Sequence, residues 1–163
     1  MLNKKLVDSI NAQINKELES SYIYVHISNY YEEAGLSGFA AWFTIQAGEE
    51  LEHAQKFIDY LHNQNEKVEL KAVKASDVVF KDTREPLVLQ LDHEKYITAS
   101  INDIYTEALA LKDYRTTVFL DWFITEQQEE ERHSDDLIIK YDLEAIDNKG
   151  LYLLDRELKT ARK

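Results

Sequence analysis

The sequence predicts an all-α fold: a four-helix bundle with one long crossover and a short fifth helix at the C-terminal end. Three observations carry this. Four long stretches, with Gly48 the one breaker well inside them, repeat apolar residues at helical spacing. The whole 163-residue chain holds only four Gly and one Pro, too few breakers for a turn-rich β-sandwich or a Gly-rich nucleotide loop. The links between the first two stretches and between the last two are short, whereas about twenty residues separate the second stretch from the third.

The first helix is expected from about Asn3 to Glu33, stopping near Gly35 and Gly38. The second runs from about Ser37 to the polar Asn63-Gln64-Asn65. Residues 66–85 show no helical pattern. A helix of about 26 residues is roughly 39 Å long, and a chain returning along it needs on the order of a dozen extended residues. That stretch is therefore read as the crossover, held down by Val78-Val79-Phe80. The third helix begins at Pro86, whose fixed φ suits a first helical position, and continues to about Asp113. The fourth runs from Arg115 to Asp147, with Asn148-Lys149-Gly150 as its C-terminal cap, and a short fifth covers Leu151 to about Thr160. The length suits one domain over residues 1–163.

Composition removes several function classes. With 31 Asp+Glu against 19 Lys+Arg, the net charge is -12, which argues against a nucleic-acid partner and favours cations. The absence of Cys excludes disulfides, zinc fingers and thiol catalysis. No apolar run approaches the ~20 residues of a membrane span, and no targeting segment follows Lys4 and Lys5. A cytoplasmic location is the expectation, with no membrane partner.

Each core-facing stripe is broken near its middle by polar residues. The first carries Leu6, Ile10, Ile14, Tyr24 and Tyr31, with Glu17 in its centre. The second reads Phe39, Phe43, Gln46, Glu50, His53, Phe57 and Leu61; the third Leu87, Leu91, Glu94, Thr98 and Ile101. The fourth reads Leu120, Phe123, Gln127, Glu130, Ser134 and Ile138. The interruptions repeat: Glu17 and Glu94, Glu50 and Gln127, and His53 and Glu130 are each 77 positions apart. Two helical hairpins with one register can pack about a pseudo-twofold axis and bring these groups to one depth. Unpaired buried charges would each cost several kcal/mol. A multivalent cation resolves that conflict. Carboxylates with one imidazole and no thiolate fit iron or manganese better than structural zinc. Glu50 and His53 lie one turn apart and reach one ion, and Glu50 is placed to bridge two.

These residues resemble the ferritin family, specifically the bacterial haem-free ferritins. The resemblance rests on Asn15 to Tyr22, Gly48-Glu49-Glu50-Leu51-Glu52-His53, Glu94, Trp122 to Glu131, and Gly150 to Leu158. It implies a ferritin-like bundle that stores iron in a 24-subunit shell and oxidises Fe(II) with O2 or peroxide at a dinuclear ferroxidase centre. By that resemblance Glu17, Glu50 and His53 would hold one iron, and Glu50, Glu94 and Glu130 the second, with Gln127 beside it. Glu49, Glu126 and Glu129 would serve a third iron, sharing Glu130, and Tyr24 matches a tyrosine placed near the metal. The fifth helix would pack about the fourfold axis of the shell. Haem is not expected, because the one Met is Met1 and Glu52 stands where bacterioferritins carry their haem-binding Met. A rubrerythrin would need a Cys-rich iron domain. His133 forms a second Glu-x-x-His with Glu130, but at ~100° per residue it lies roughly 120° from Gln127, outside the stripe. His26, His62 and His93 fall off the stripes and read as surface or interface residues.

Two other readings remain open on the residues alone. One is a di-metal oxidase acting on an organic substrate. The other is a helical interaction protein whose polar layer only specifies register.

Overall fold

The computed structural model describes residues 2–161, which form α1 (Lys4–Glu33), α2 (Ser37–Asn63), α3 (Glu85–Ala110), α4 (Tyr114–Glu144) and α5 (Asn148–Ala161), with no strand among them. α1 with α2, and α3 with α4, form the two hairpins, and α5 lies against α2 and α4. Among the described residues no helix is long and apolar enough to cross a membrane.

Helices α1, α2 and α3 end alike, each with one left-handed residue and a hydrogen bond from the next amide back five positions. At α1 the residue is Gly35 (φ 77°), and Leu36 N–H donates to the Tyr31 carbonyl at 2.8 Å. At α2 it is Asn65 (φ 59°), with Glu66 N–H on Leu61. At α3 it is Lys112 (φ 56°), with Asp113 N–H on Ala108. Asp113 then caps α4 by accepting from Thr116 N–H at 3.1 Å, so α3 ends before Asp113 and not at it.

The chain end differs from expectation. Asn148-Lys149-Gly150 is the first turn of α5, not the cap of α4, which stops at Glu144. Asp147 Oδ1 accepts from Gly150 N–H at 2.7 Å, the arrangement of a helix N-terminus. Gly150 is needed for close approach: a Cβ there would sit 1.8 Å from the Glu144 carbonyl oxygen. α5 in turn caps α2. Leu36 offers no side-chain acceptor, and Asp155 Oδ1 accepts from both Gly38 and Phe39 N–H at 2.7 and 3.0 Å.

The crossover, residues 64–84, is pinned to α1. The Asn11 side chain donates to the Lys67 carbonyl and accepts from Glu69 N–H, and Asn15 does the same for Glu69 and Lys71. Phe80 packs its ring against Tyr30 and His26, as the sequence suggested. Val79 does not take part: it is 85% exposed.

The apolar core is in two pieces. One joins Leu6, Ile10, Ile14, Phe57, Leu61, Ile101, Leu120 and Phe123. The other joins Tyr24, Tyr31, Phe39, Phe43, Leu87, Leu137 and Ile138 with Leu154 and Leu158 of α5. Each long helix passes from one piece to the other through its polar interruption, so the four interruptions form a buried belt across the bundle.

Candidate metal centre

The belt is built from one or two side chains per helix. α1 supplies Glu17, α2 supplies Glu50 and His53 one turn apart, α3 supplies Glu94, and α4 supplies Gln127 and Glu130. None is more than 3% exposed. Glu17, Glu50 and His53 each offer one ligand atom within 4.8 Å of the others, and so do His53, Glu126 and Glu130. His53 therefore lies between two groups. Its Nδ1 is 3.4 Å from Glu50 Oε2, and its Nε2 is 3.7 Å from Glu126 Oε1. The Trp122 and Phe123 rings meet the imidazole edge-on and fix its plane.

The outer hydrogen bonds set which oxygens remain. Glu17 Oε1 accepts from Gln13 Nε2 at 2.7 Å, and Glu130 Oε2 accepts from Gln46 Nε2 at 2.6 Å. Glu94 is engaged at both oxygens, by the Tyr24 hydroxyl on Oε1 and by Gln127 Nε2 at 3.1 Å on Oε2. Glu94, expected beside Glu50 and Glu130, belongs to neither compact ligand group among the described residues. Glu17 Oε2 and Glu50 Oε1 are buried with no hydrogen-bond donor. Such oxygens are costly unless a cation meets them, so the donor set fits a bound metal.

Burial and mutual repulsion hold protons on the belt. Desolvation, then the Glu50 charge, pushes Glu17 well above the usual carboxylate range. Desolvation and Glu94 do the same to Glu50. Glu94 and Glu130 are each raised to about 7, chiefly by desolvation. Burial, then Glu94, raises the Tyr24 hydroxyl well above its ordinary value, so it stays a donor. The metal-free folded state thus binds more protons than the unfolded chain between about pH 4.5 and 7. Its stability is fullest below that window and is lost as pH rises through the folded values. Thermal unfolding of metal-stripped protein should show a Tm that falls from pH 5 to pH 8, and Zn(II) should remove most of the slope. A Tm unchanged or rising over that range would contradict the buried-charge picture.

The other expected residues are distributed unevenly. Glu126, half-buried, joins His53 and Glu130. Glu49 is half-buried, and its charge raises Glu50 and Glu130. Glu129 is exposed and in neither group among the described residues. His133 lies off the belt in a 410 Å³ cleft with Trp42, Asp136, Lys140 and Glu157. His26 touches Phe80 and the Val78 carbonyl at the surface.

His93 is not the plain surface residue that its place off the stripe suggested. It is half-buried, its Nε2 is 2.7 Å from Ser20 Oγ, and its ring stands edge-on to Tyr24. Burial lowers it to about 4, so it is neutral. Gln13 and Gln90, both buried, also escaped the stripe reading. The signal was present, because they too are 77 positions apart.

Known proteins match the chain over nearly its whole length. The ferritin-like domain family matches residues 7–143. A bacterial non-heme ferritin of Campylobacter jejuni is 38% identical over 159 residues, covering 98% of this chain and 95% of that one. A bacterial non-heme ferritin of Escherichia coli is 32% identical over 98% of this chain and 97% of its own. A solved open-pore ferritin from Archaeoglobus fulgidus superimposes with a TM-score of 0.97 at 33% identity, covering 100% of both chains.

Proposed function

The chain belongs to the ferritin family, and on that premise we propose that it is an iron-storage protein which oxidises Fe(II) at a dinuclear centre in the buried belt. One observation carries the reading: four buried carboxylates and an imidazole converge, with Glu17 Oε2 and Glu50 Oε1 lacking any donor. In this reading Glu17, Glu50 and His53 hold one Fe(II), and Glu50, Glu94 and Glu130 hold the other, with Gln127 steadying Glu94. Glu126, Glu49 and Glu129 serve a third iron beside them.

The residues' tasks follow from their chemistry. The carboxylates give up their protons to an arriving cation and favour Fe(III) over Fe(II) by charge. Two Fe(II) lose one electron each, and O2 that takes both with two protons leaves as hydrogen peroxide. The two apolar cores close the belt from above and below. Full reduction of O2 to water takes four electrons and four protons, three electrons from Fe(II) and one from Tyr24, whose own proton passes to Glu94 along their hydrogen bond. Iron here is substrate and cargo, and haem has no part in the reading.

Storage requires a shell, and the proposal includes assembly to a 24-subunit particle. Supporting it, Leu143 at the end of α4, Ile146 in the turn that follows, and Tyr152 and Leu153 on α5 are exposed apolar side chains near one another in sequence. A cytoplasmic setting belongs to the same reading, with neither nucleic acid nor membrane as partner.

The test is aerobic Fe(II) addition with size exclusion on the same sample. Rapid ferric absorbance at a few irons per subunit, then continued soluble loading in a particle of several hundred kilodaltons, is the expected result. Slow oxidation at the buffer rate would overturn the ferroxidase reading. Fast oxidation by a small species unable to hold mineral would overturn storage.

A further inference from the structure

A hydrogen-bonded chain runs from the surface to one metal-facing carboxylate. Lys16 Nζ donates to Ser100 Oγ at 2.6 Å. Ser100 Oγ donates to Gln13 Oε1 at 2.5 Å. Gln13 Nε2 donates to Glu17 Oε1 at 2.7 Å. The chain passes from α1 to α3 and back to α1.

The chain runs from an ammonium, which can only donate, to a carboxylate oxygen that accepts. With Lys16 donating to its oxygen, the Ser100 hydroxyl directs its own proton at Gln13 Oε1, and the amide so held turns its NH2 to Glu17. Glu17 Oε1 is then occupied, and Oε2, which has no donor, is left for a cation. The Tyr96 ring, 5.0 Å below the ammonium, helps hold Lys16 in place.

The internal repeat carries no second copy of this chain. Gln90 and His93 occupy the places on α3 that Gln13 and Lys16 occupy on α1, each 77 positions on. There the Gln90 amide is buried with no hydrogen-bond partner at either atom, and His93 bonds to Ser20 instead. The relay exists in one half only.

We propose that Lys16 is a positioning residue for the metal centre: through Ser100 and Gln13 it orients Glu17 so that the carboxylate takes a divalent cation through Oε2 alone. The inference rests on the belt being a metal centre. It adds a surface cation, lying outside the ligand set, that controls how one ligand binds.

Co(II) titration of metal-stripped full-length protein tests it, read by affinity for the first equivalent and by the visible d–d spectrum, which responds to coordination number. Lys16→Met keeps the apolar stem and removes the donor; Ser100→Ala cuts the middle of the chain. Each should weaken the first Co(II) about tenfold, the low end for loss of an outer partner of a metal ligand. Each should also change the spectrum as Glu17 becomes free to bind through both oxygens. The double variant should be no weaker than the worse single, because both cut one chain. Lys16→Arg, again donors only, should restore the wild-type spectrum. Wild-type affinity and spectrum in both single variants would overturn the relay while leaving the metal centre standing. Additive losses in the double variant would overturn it too. Failure of the wild-type protein to bind Co(II) would remove the metal centre and the relay with it.

Discussion

Glu94→Ala should slow the initial oxidation of Fe(II) by more than about 100-fold while the protein still elutes at its native size. Loss of an outer partner of a ligand typically costs 10–100-fold, and loss of a ligand carboxylate exceeds that. Glu94 also receives the Tyr24 hydroxyl and the Gln127 amide, so its removal frees two further groups at once. Stability should move the other way for the isosteric change. In metal-free protein at pH 8, Glu94→Gln removes a charge whose repulsion raises Glu50 and Glu130. Removing a buried charge that repels two others gains on the order of 1 kcal/mol, net of the donor left facing the new amide NH2. A slower ferroxidase that melts higher without metal is the expected pair of results. An unchanged oxidation rate in Glu94→Ala would take Glu94 out of the mechanism, and a lower metal-free Tm in Glu94→Gln would mean that the hydrogen bonds from Tyr24 and Gln127 outweigh the repulsion.

Gly38→Ala should be strongly destabilising, although Gly to Ala inside a helix ordinarily gains ~0.5–1 kcal/mol. A Cβ at Gly38 would lie 1.7 Å from the Asp155 carbonyl oxygen. α5 must then lift from α2. That removes both Asp155 bonds to the first amides of α2 and uncovers Leu154 and Leu158. A lost cap costs ~1–2 kcal/mol, and each exposed leucine about 1.5–3 kcal/mol. The sum is on the order of 5 kcal/mol, a large part of a typical domain's stability. At about 2–4 °C per kcal/mol, Tm should drop by roughly 10–20 °C. Gly48→Ala is the matched control. Nothing lies within 4 Å of the Cβ it would add, so it should raise Tm slightly. Equal, small effects at the two sites would show that α5 does not press on α2 as closely as described.

The legible part of this molecule is periodic. A helix that buries one face must repeat apolar residues every three or four positions, and a cation must be met by carboxylate or imidazole. Both requirements are written locally, at Ile10, Ile14 and Glu17 or at Phe43, Glu50 and His53. The spacing of 77 carried them one step further, since two hairpins of one register place Glu17 and Glu94 at one depth. The hairpins, the crossover and the depth of the belt were therefore readable without coordinates. The helix ends were less so. Asn148-Lys149-Gly150 has the composition of a cap, and Gly150 is a glycine because α5 folds back on the end of α4, a contact that only the assembled chain makes.

What the sequence by itself determined is the fold class, the family and the chemical character of the centre, because these depend on residue type and spacing along single helices. What only the tertiary structure decided is which atom of each side chain faces which partner. Gln13 turns its amide to Glu17 because Ser100 comes from another helix, and Glu94 on α3 is tied at both oxygens by Tyr24 of α1 and Gln127 of α4. Hydrogen bonds are directional and short, and three of these four join different helices. Spacing along one helix reports which face a residue shares, but not the rotation and approach of the next helix.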